Sequence, residues 1–286
     1  MGNRSLVAAV PTAFHDDGAL DRDGLSALAA RYAAAGCSML IALEDGGGEP
    51  ESLDPDERDV VVRALREGGS GLPVFVGVGE ADAAAVTRAH RAGAAGAEGL
   101  VATVVSDHQR VGEMLTDIAG AELPLWLHHP AGSSVPLPPV ELASDLSADA
   151  ILTEVAPTPD AVAQVVAAGR RAFGGLGGLF LPEELEAGAS GTIAASAVPE
   201  RLHEVLVQAP DEGPMPLDAF LAVLPYLRLE AGSPGLRVRK EAWRQRGVIT
   251  SGRTRRGRPL EATTKRAVTR RLRGIGVAPR YGYPGA

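Results

Sequence analysis

Apolar runs of four to six residues recur along the first 200 positions, and each is followed by a stretch whose apolar residues fall three and four apart. The two periods alternate, which predicts strand, helix, strand, helix along the chain. The strand candidates are LVAAV (6–10), SMLIAL (38–43), PVFVG (73–77), GLVAT (99–103), PLWLH (124–128), AILT (150–153), AFGG (172–175) and TIAAS (192–196). Between them, Asp54, Pro55 and Glu57 spell a helix start: a capping side chain, a proline at the first helical position and a glutamate at the third. Thr158 and Pro159 repeat the device, while RAGAAGAEG and EAGASG read as helix ends with glycine just past the last turn. Eight such units with short connections predict an α/β protein, a (β/α)8 TIM barrel with a helical C-terminal extension. The barrel takes residues 1–198. Residues 199–286 read as its last helix and the extension, broken at 210–216, at 232–234 and in SGRTRRGRP (251–259), which reads as mobile.

Composition narrows this reading. Hydrophobic residues make up 45% of the chain and aromatics only 4%, so alanine, valine and leucine must fill the barrel. No run approaches the 18 apolar residues of a membrane span, and MGNRSLVAAVPTAF lacks the long apolar centre of a secretion signal. Cys37 is the single cysteine; it permits no internal disulfide and reads as a small buried hydrophobe. The expectation is a cytoplasmic protein. Charge is uneven: 14 basic residues stand between Arg237 and Arg273 against Glu241 and Glu261, in a chain of net charge −8. Such a stripe could hold nucleic acid. Only one aromatic residue, Trp243, stands among the arginines and no recognised module accompanies them, so the stripe reads as a tail packed on an acidic body or at a subunit contact. The lysines are only two, Lys240 and Lys265.

In a parallel barrel the chemistry sits where the strands end. PLWLHHPAGSS puts His128 and His129 at the end of the fifth strand. Imidazole titrates near neutrality and serves as a proton shuttle. Neighbours on a strand face opposite ways, so one of the two should face the axis, and the other the helices. Glu154 is a carboxylate at the end of the sixth strand, either an acid raised by burial or an arginine's ion-pair partner. His128, Glu154 and Asp45 could meet as metal ligands, although no tight ligand spacing supports it. GGLGG (174–178), followed by a helix, reads as an anion cradle or as close backbone packing.

AAVPTAFHDDGALDRDGL, GGGEPESLDPDER, PVFVGVG, AGAAGAEGLVAT and LFLPEELEAGASGTI together resemble the dihydrodipicolinate synthase / N-acetylneuraminate lyase family, from about residue 6 to 275. The resemblance implies a barrel with a helical C-terminal extension, assembled as a homodimer or homotetramer and acting on a small-molecule substrate. Most members form an imine between a lysine of the sixth strand and a 2-oxo acid. That position falls here on Thr153, or on Glu154 after a shift of one residue. The strand-five tyrosine position falls on His128, with His129 beside it. The loop that holds the substrate carboxylate reads DGGGE from Asp45 to Glu49, with Gly46 and Gly47 where the family has threonines. The pattern after strand four begins at Thr103 and lacks its tyrosines.

An imine needs an amine, and neither Thr153 nor Glu154 supplies one. The expectation is therefore a lyase, dehydratase, isomerase or cyclase without a lysine imine, acting on a small metabolite, with specialised biosynthesis as a setting and with no cofactor. His128 and Glu154 would be acid and base and Thr153 a hydrogen-bonding partner. Glu44, Asp45, Gly46, Gly47, Thr103, His129 and Gly175 would surround the substrate. The competing reading is a catalytically inactive barrel used for binding or assembly, its mouth filled by side chains or by the C-terminal tail.

Overall fold

A computed structural model describes residues 4–105, 109–135, 138–210, 215–232 and 234–285. Eight parallel strands close into a barrel in chain order. They are β1 (Ser5–Ala9), β2 (Met39–Ala42), β3 (Val74–Glu80), β4 (Gly99–Thr103), β5 (Leu125–His129), β6 (Ala150–Thr153), β7 (Arg171–Gly174) and β8 (Gly191–Ala194). The helices are α1 (Arg22–Ala34), α2 (Pro55–Gly68), α3 (Ala83–Ala95), α4 (Gln109–Ala119), α5 (Val140–Asp145), α6 (Thr158–Ala167), α7 (Leu181–Glu186), α8 (Pro199–Gln208), α9 (Asp218–Ala231), α10 (Gly235–Gln245) and α11 (Ala262–Gly274). Each predicted strand is present. β3 runs past its expected end, with a register break between Gly77 and Gly79.

Local chemistry accounts for the helix ends. Asp54 accepts from the Glu57 N–H at 2.9 Å, and Glu57 reaches back to the Asp54 N–H at 3.1 Å. That reciprocal pair satisfies two donors that the first turn leaves open. Gly96 ends α3 in the left-handed region at φ 98°, which glycine adopts without strain. The expected cap at Thr158 is not formed: Thr158 is itself the first helical residue, Pro157 precedes it, and no side chain caps the turn.

Side chains that alternate inward fill the barrel. Val7, Ile41, Phe75, Val101, Trp126, Leu152, Phe173 and Ile193 form one buried cluster, and their outward neighbours pack against the helices. Trp126 stacks on Phe173 at 4.9 Å and meets Phe75 edge-on at 5.3 Å. Arg171 lies over the Trp126 and Phe173 rings at 5.7 and 5.2 Å, covering the end where β7 begins.

The extension folds back on the barrel. Trp243 of α10 packs edge-on against Tyr32 of α1 at 5.3 Å. Part of the basic stripe meets acidic residues: Arg246 pairs with Glu200 at 2.6 Å, Arg255 with Glu57 at 2.6 Å and Arg244 with Glu241 at 2.7 Å. The 251–259 segment is not the loose link that its composition predicts. Arg255 donates from its backbone to Glu49, Ser251 bonds Asp16, and Lys240 bonds the Arg253 carbonyl at 2.9 Å. These contacts strap it to the loops that leave β1 and β2. Among the described residues, no helix is long and apolar enough to cross a membrane.

Candidate active site

The phase of two strands decides what meets at the barrel mouth. On β5, Trp126 points inward, so His128 does too and His129 points out. On β6, Leu152 points inward, so the next inward residue is Glu154, just past the strand end. Its N–H extends the ladder by bonding the His129 carbonyl at 2.9 Å.

His128 stands between two carboxylates. Its Nδ1 lies 3.7 Å from Glu44 Oε1 and its Nε2 3.7 Å from Glu154 Oε2. The ring and Glu44 are buried, whereas the Glu154 side chain is 25% exposed. Burial opposes charge on the imidazole, but Glu154, then Glu44 and Asp45, outweigh it and raise His128 above its ordinary value. Burial likewise raises the Glu44 carboxyl, against the pull of His128 and the Gly46 N–H, which donates to it at 2.7 Å. The result is a carboxyl biased toward its neutral form beside an imidazole biased toward its cation.

Both carboxylates line a cavity of about 350 Å³. Ala9, Leu152, Ile193 and Ala195 line it from the strand ends; Leu227 and Glu230 of α9 and Gly235, Leu236 and Arg239 of α10 line it from the extension. His128 does not line it. The imidazole sits behind Glu44 and Glu154, close to both carboxylates but with neither ring nitrogen within hydrogen-bond distance of one, and does not face the cavity. Gly175 lines it, and a Cβ there would lie 2.5 Å from Glu154 Cγ, so glycine leaves the room that Glu154 occupies. Gly46 lines the cavity beside Glu44. Gly47 is buried below, its carbonyl accepting from the Thr12 N–H at 3.4 Å. Thr103 braces Asp45, donating to its carboxylate at 3.5 Å, and neither lines the cavity.

Other residues of the strand ends lie away from the cavity. Thr153 and His129 face the helical layer: His129 Nδ1 is 3.3 Å from Thr153 Oγ1 and its Nε2 is 2.8 Å from the Val135 carbonyl. Strand alternation forbids them the mouth while His128 and Glu154 hold it. Burial pulls His129 below its ordinary value. The glycines at 174–178 lead into no anion cradle: α7 has six residues, its first turn carries Glu183 and Glu184, and the buried Glu184 carboxylate fills the space beside Gly174. His128, Glu154 and Asp45 do not form a metal cluster; among the described residues no three such side chains are grouped for one.

Arg239 is the residue that sequence reasoning passed over. It is the cation among the described residues that line the cavity. Its Nη2 donates to the Gly46 carbonyl at 3.2 Å, and its buried Nε has no partner. It stands in the basic stripe, and only the packing of α10 over the strand ends distinguishes it from its neighbours. The adjacent Lys240 points elsewhere: it is fully buried, pairs with Glu49 and lies 4.5 Å from the Phe14 ring centre. Burial lowers it to about 8.

Residues 3–105 match the dihydrodipicolinate synthetase family. A probable 5-dehydro-4-deoxyglucarate dehydratase 2 of Streptomyces coelicolor is 38% identical over 120 residues, 40% of this chain and 37% of that protein. The 4-hydroxy-tetrahydrodipicolinate synthase 1 of the same organism is 42% identical over 100 residues, 34% of this chain and 32% of that one. The chain thus spans about a third of the length of these curated relatives. In three dimensions the likeness is nearly complete. Dihydrodipicolinate synthase from Rhodopseudomonas palustris superposes with a TM-score of 0.84 at 25% identity, covering 95% of this chain and 97% of that one. Proteus mirabilis N-acetylneuraminate lyase shares the fold, with a TM-score of 0.82 at 17% identity over 96% and 99% of the two chains. The family match thus takes in the first four strands of the barrel, and the likeness in fold extends over the rest.

Proposed function

We propose that this protein is a lyase or dehydratase that moves protons on a small carboxylate-bearing metabolite through Glu154, His128 and Glu44, without a lysine imine. The observation that carries the proposal is the position of His128, 3.7 Å from each of two carboxylates that line one cavity. The similarity to a probable dehydratase of an acid sugar supports the reaction class.

The chemistry follows from the environments. Glu154, the more exposed carboxylate, takes a proton from the carbon next to the substrate's carbonyl or carboxyl group. The freed electron pair forms a carbon–carbon double bond as a hydroxyl departs from the adjacent carbon. Glu44, biased toward its neutral form, gives that hydroxyl a proton, and water leaves. His128 then carries the proton from Glu154 back to Glu44, which restores both groups. Arg239 binds the substrate carboxylate across the cavity. Lys240 and Lys265 play no covalent part: the first is held by Glu49 and the second lies on α11. The open mouth favours catalysis over the inactive-scaffold reading, which calls for a filled one.

The test is a screen of small hydroxy acids and oxo acids in deuterated water, followed by proton NMR. The wild-type protein should exchange or eliminate at the carbon next to the acidifying group, and Glu154→Gln should abolish this. Borohydride added during turnover should leave the protein mass unchanged. Turnover that survives Glu154→Gln, or a reduced substrate adduct on either lysine, would overturn the proposal.

A further inference from the structure

A larger cavity, of about 470 Å³, lies away from the mouth, between α10, the 251–259 strap and the start of α11. Five cations and two carboxylates line it. One carboxylate is paired with a cation and the other is capped by a hydroxyl. Glu241 accepts from Arg244 at 2.7 and 3.1 Å and from Gln245 at 2.9 Å, and Asp16 accepts from Ser251. The other four cations, Arg237, Arg253, Arg258 and Lys265, have no carboxylate within 4.0 Å among the described residues. Arg237 spends one N–H on the Arg258 carbonyl at 2.8 Å, and Arg253 one on the Asp16 carbonyl.

Four cations around one concavity repel each other, and concave walls focus their field on the space between. In the same stripe Arg246 pairs with Glu200 and Arg255 with Glu57. Here it leaves the charges facing a void, and the void has the size of a metabolite site.

We propose that this cavity binds a small organic polyanion, a molecule with clustered phosphate or carboxylate oxygens, held by Arg237, Arg253, Arg258 and Lys265. The site is separate from the mouth and does not depend on the reaction proposed there. Guanidinium forks match phosphate and carboxylate alike, so the shared feature is the cluster of charged oxygens. A nucleic-acid strand fits less well, because no aromatic side chain lines the cavity to stack on bases.

The test is calorimetric titration of the full chain with inorganic pyrophosphate and, separately, with citrate, at low salt to limit screening. One saturable site per chain for either probe supports the proposal, and the tighter of the two tells phosphate from carboxylate. Arg258→Ser with Lys265→Gln removes two cations that carry no buried contact, and should weaken that probe by about tenfold or more. Lys265→Glu should weaken it further, and Glu154→Gln should leave it unchanged. No saturable binding of either probe, equal binding by the charge-removal variants, or tighter stoichiometric binding of a single-stranded oligonucleotide would overturn the proposal.

Discussion

His128 Nε2 lies 3.7 Å from Glu154 Oε2, and the same ring's Nδ1 lies 3.7 Å from Glu44 Oε1. Two carboxylates on one cavity thus flank a single buried imidazole. His128→Ala removes the ring and should lower turnover about 10²-fold or more, the scale of general acid–base catalysis. His129→Ala should lower turnover far less. It should instead cost stability, about 1–3 kcal/mol, because Thr153 Oγ1 and the Val135 carbonyl lose a buried partner. Turnover and chemical denaturation of the two variants separate these effects. Equal, small losses of turnover would mean that the pair is only a polar strand end.

Arg239 reaches the cavity from α10, and its role is to bind rather than to transfer protons. Arg239→Ala should raise KM tenfold or more while changing kcat less, and Arg239→Lys should restore part of the loss. A fall in kcat at constant KM would assign Arg239 to the chemical step instead.

Glu184 makes folding stability depend on pH. Its carboxyl is buried against Gly174 and raised by burial to about 7, from an ordinary 4.5. Between those values the folded protein holds a proton that the unfolded chain has released, so stability falls as pH rises through the window. Glu184→Gln lacks this dependence. Its stability relative to the parent should improve by about 3 kcal/mol between pH 4.5 and pH 8. Denaturant midpoints at the two pH values check this, and a constant difference would show that Glu184 titrates alike in the folded and the unfolded protein.

Glu49 and Lys240 pair under the strap. Glu49→Gln leaves a fully buried ammonium without its counter-charge and should cost about 3 kcal/mol. Lys240→Met should cost less, because Glu49 keeps the Arg255 N–H at 2.9 Å and the long apolar stem is replaced in kind. Thermal unfolding of both variants reads the order. The reverse order would mean that the lysine, and not its partner, holds the strap in place.

Much of this molecule is legible in its sequence. GLVAT and AILT are strands with the bounds that their apolar runs announce, because strands buried on both faces read as short continuous apolar runs. His128 and Glu154 are legible as strand-end polar residues. The choice between Thr153 and Glu154 is not, since it depends on strand phase, which one residue of slip inverts. Arg239 is hidden for another reason: its place over the mouth comes from packing between α10 and distant strands, and local spacing carries no record of that. The strap is hidden likewise. Gly, Thr and Arg look mobile until Glu49, Glu57 and Asp16 are seen beside them.

The central claim is that His128 serves as a charged bridge between Glu154 and Glu44, and it can be measured without a substrate. NMR titration of the imidazole Cε1–H should place His128 above the ordinary histidine value of about 6.5, with His129 below it. Glu154→Gln should bring His128 down and leave His129 where it was. A His128 that titrates at or below the ordinary value, and does not move when Glu154 is neutralised, would contradict the account.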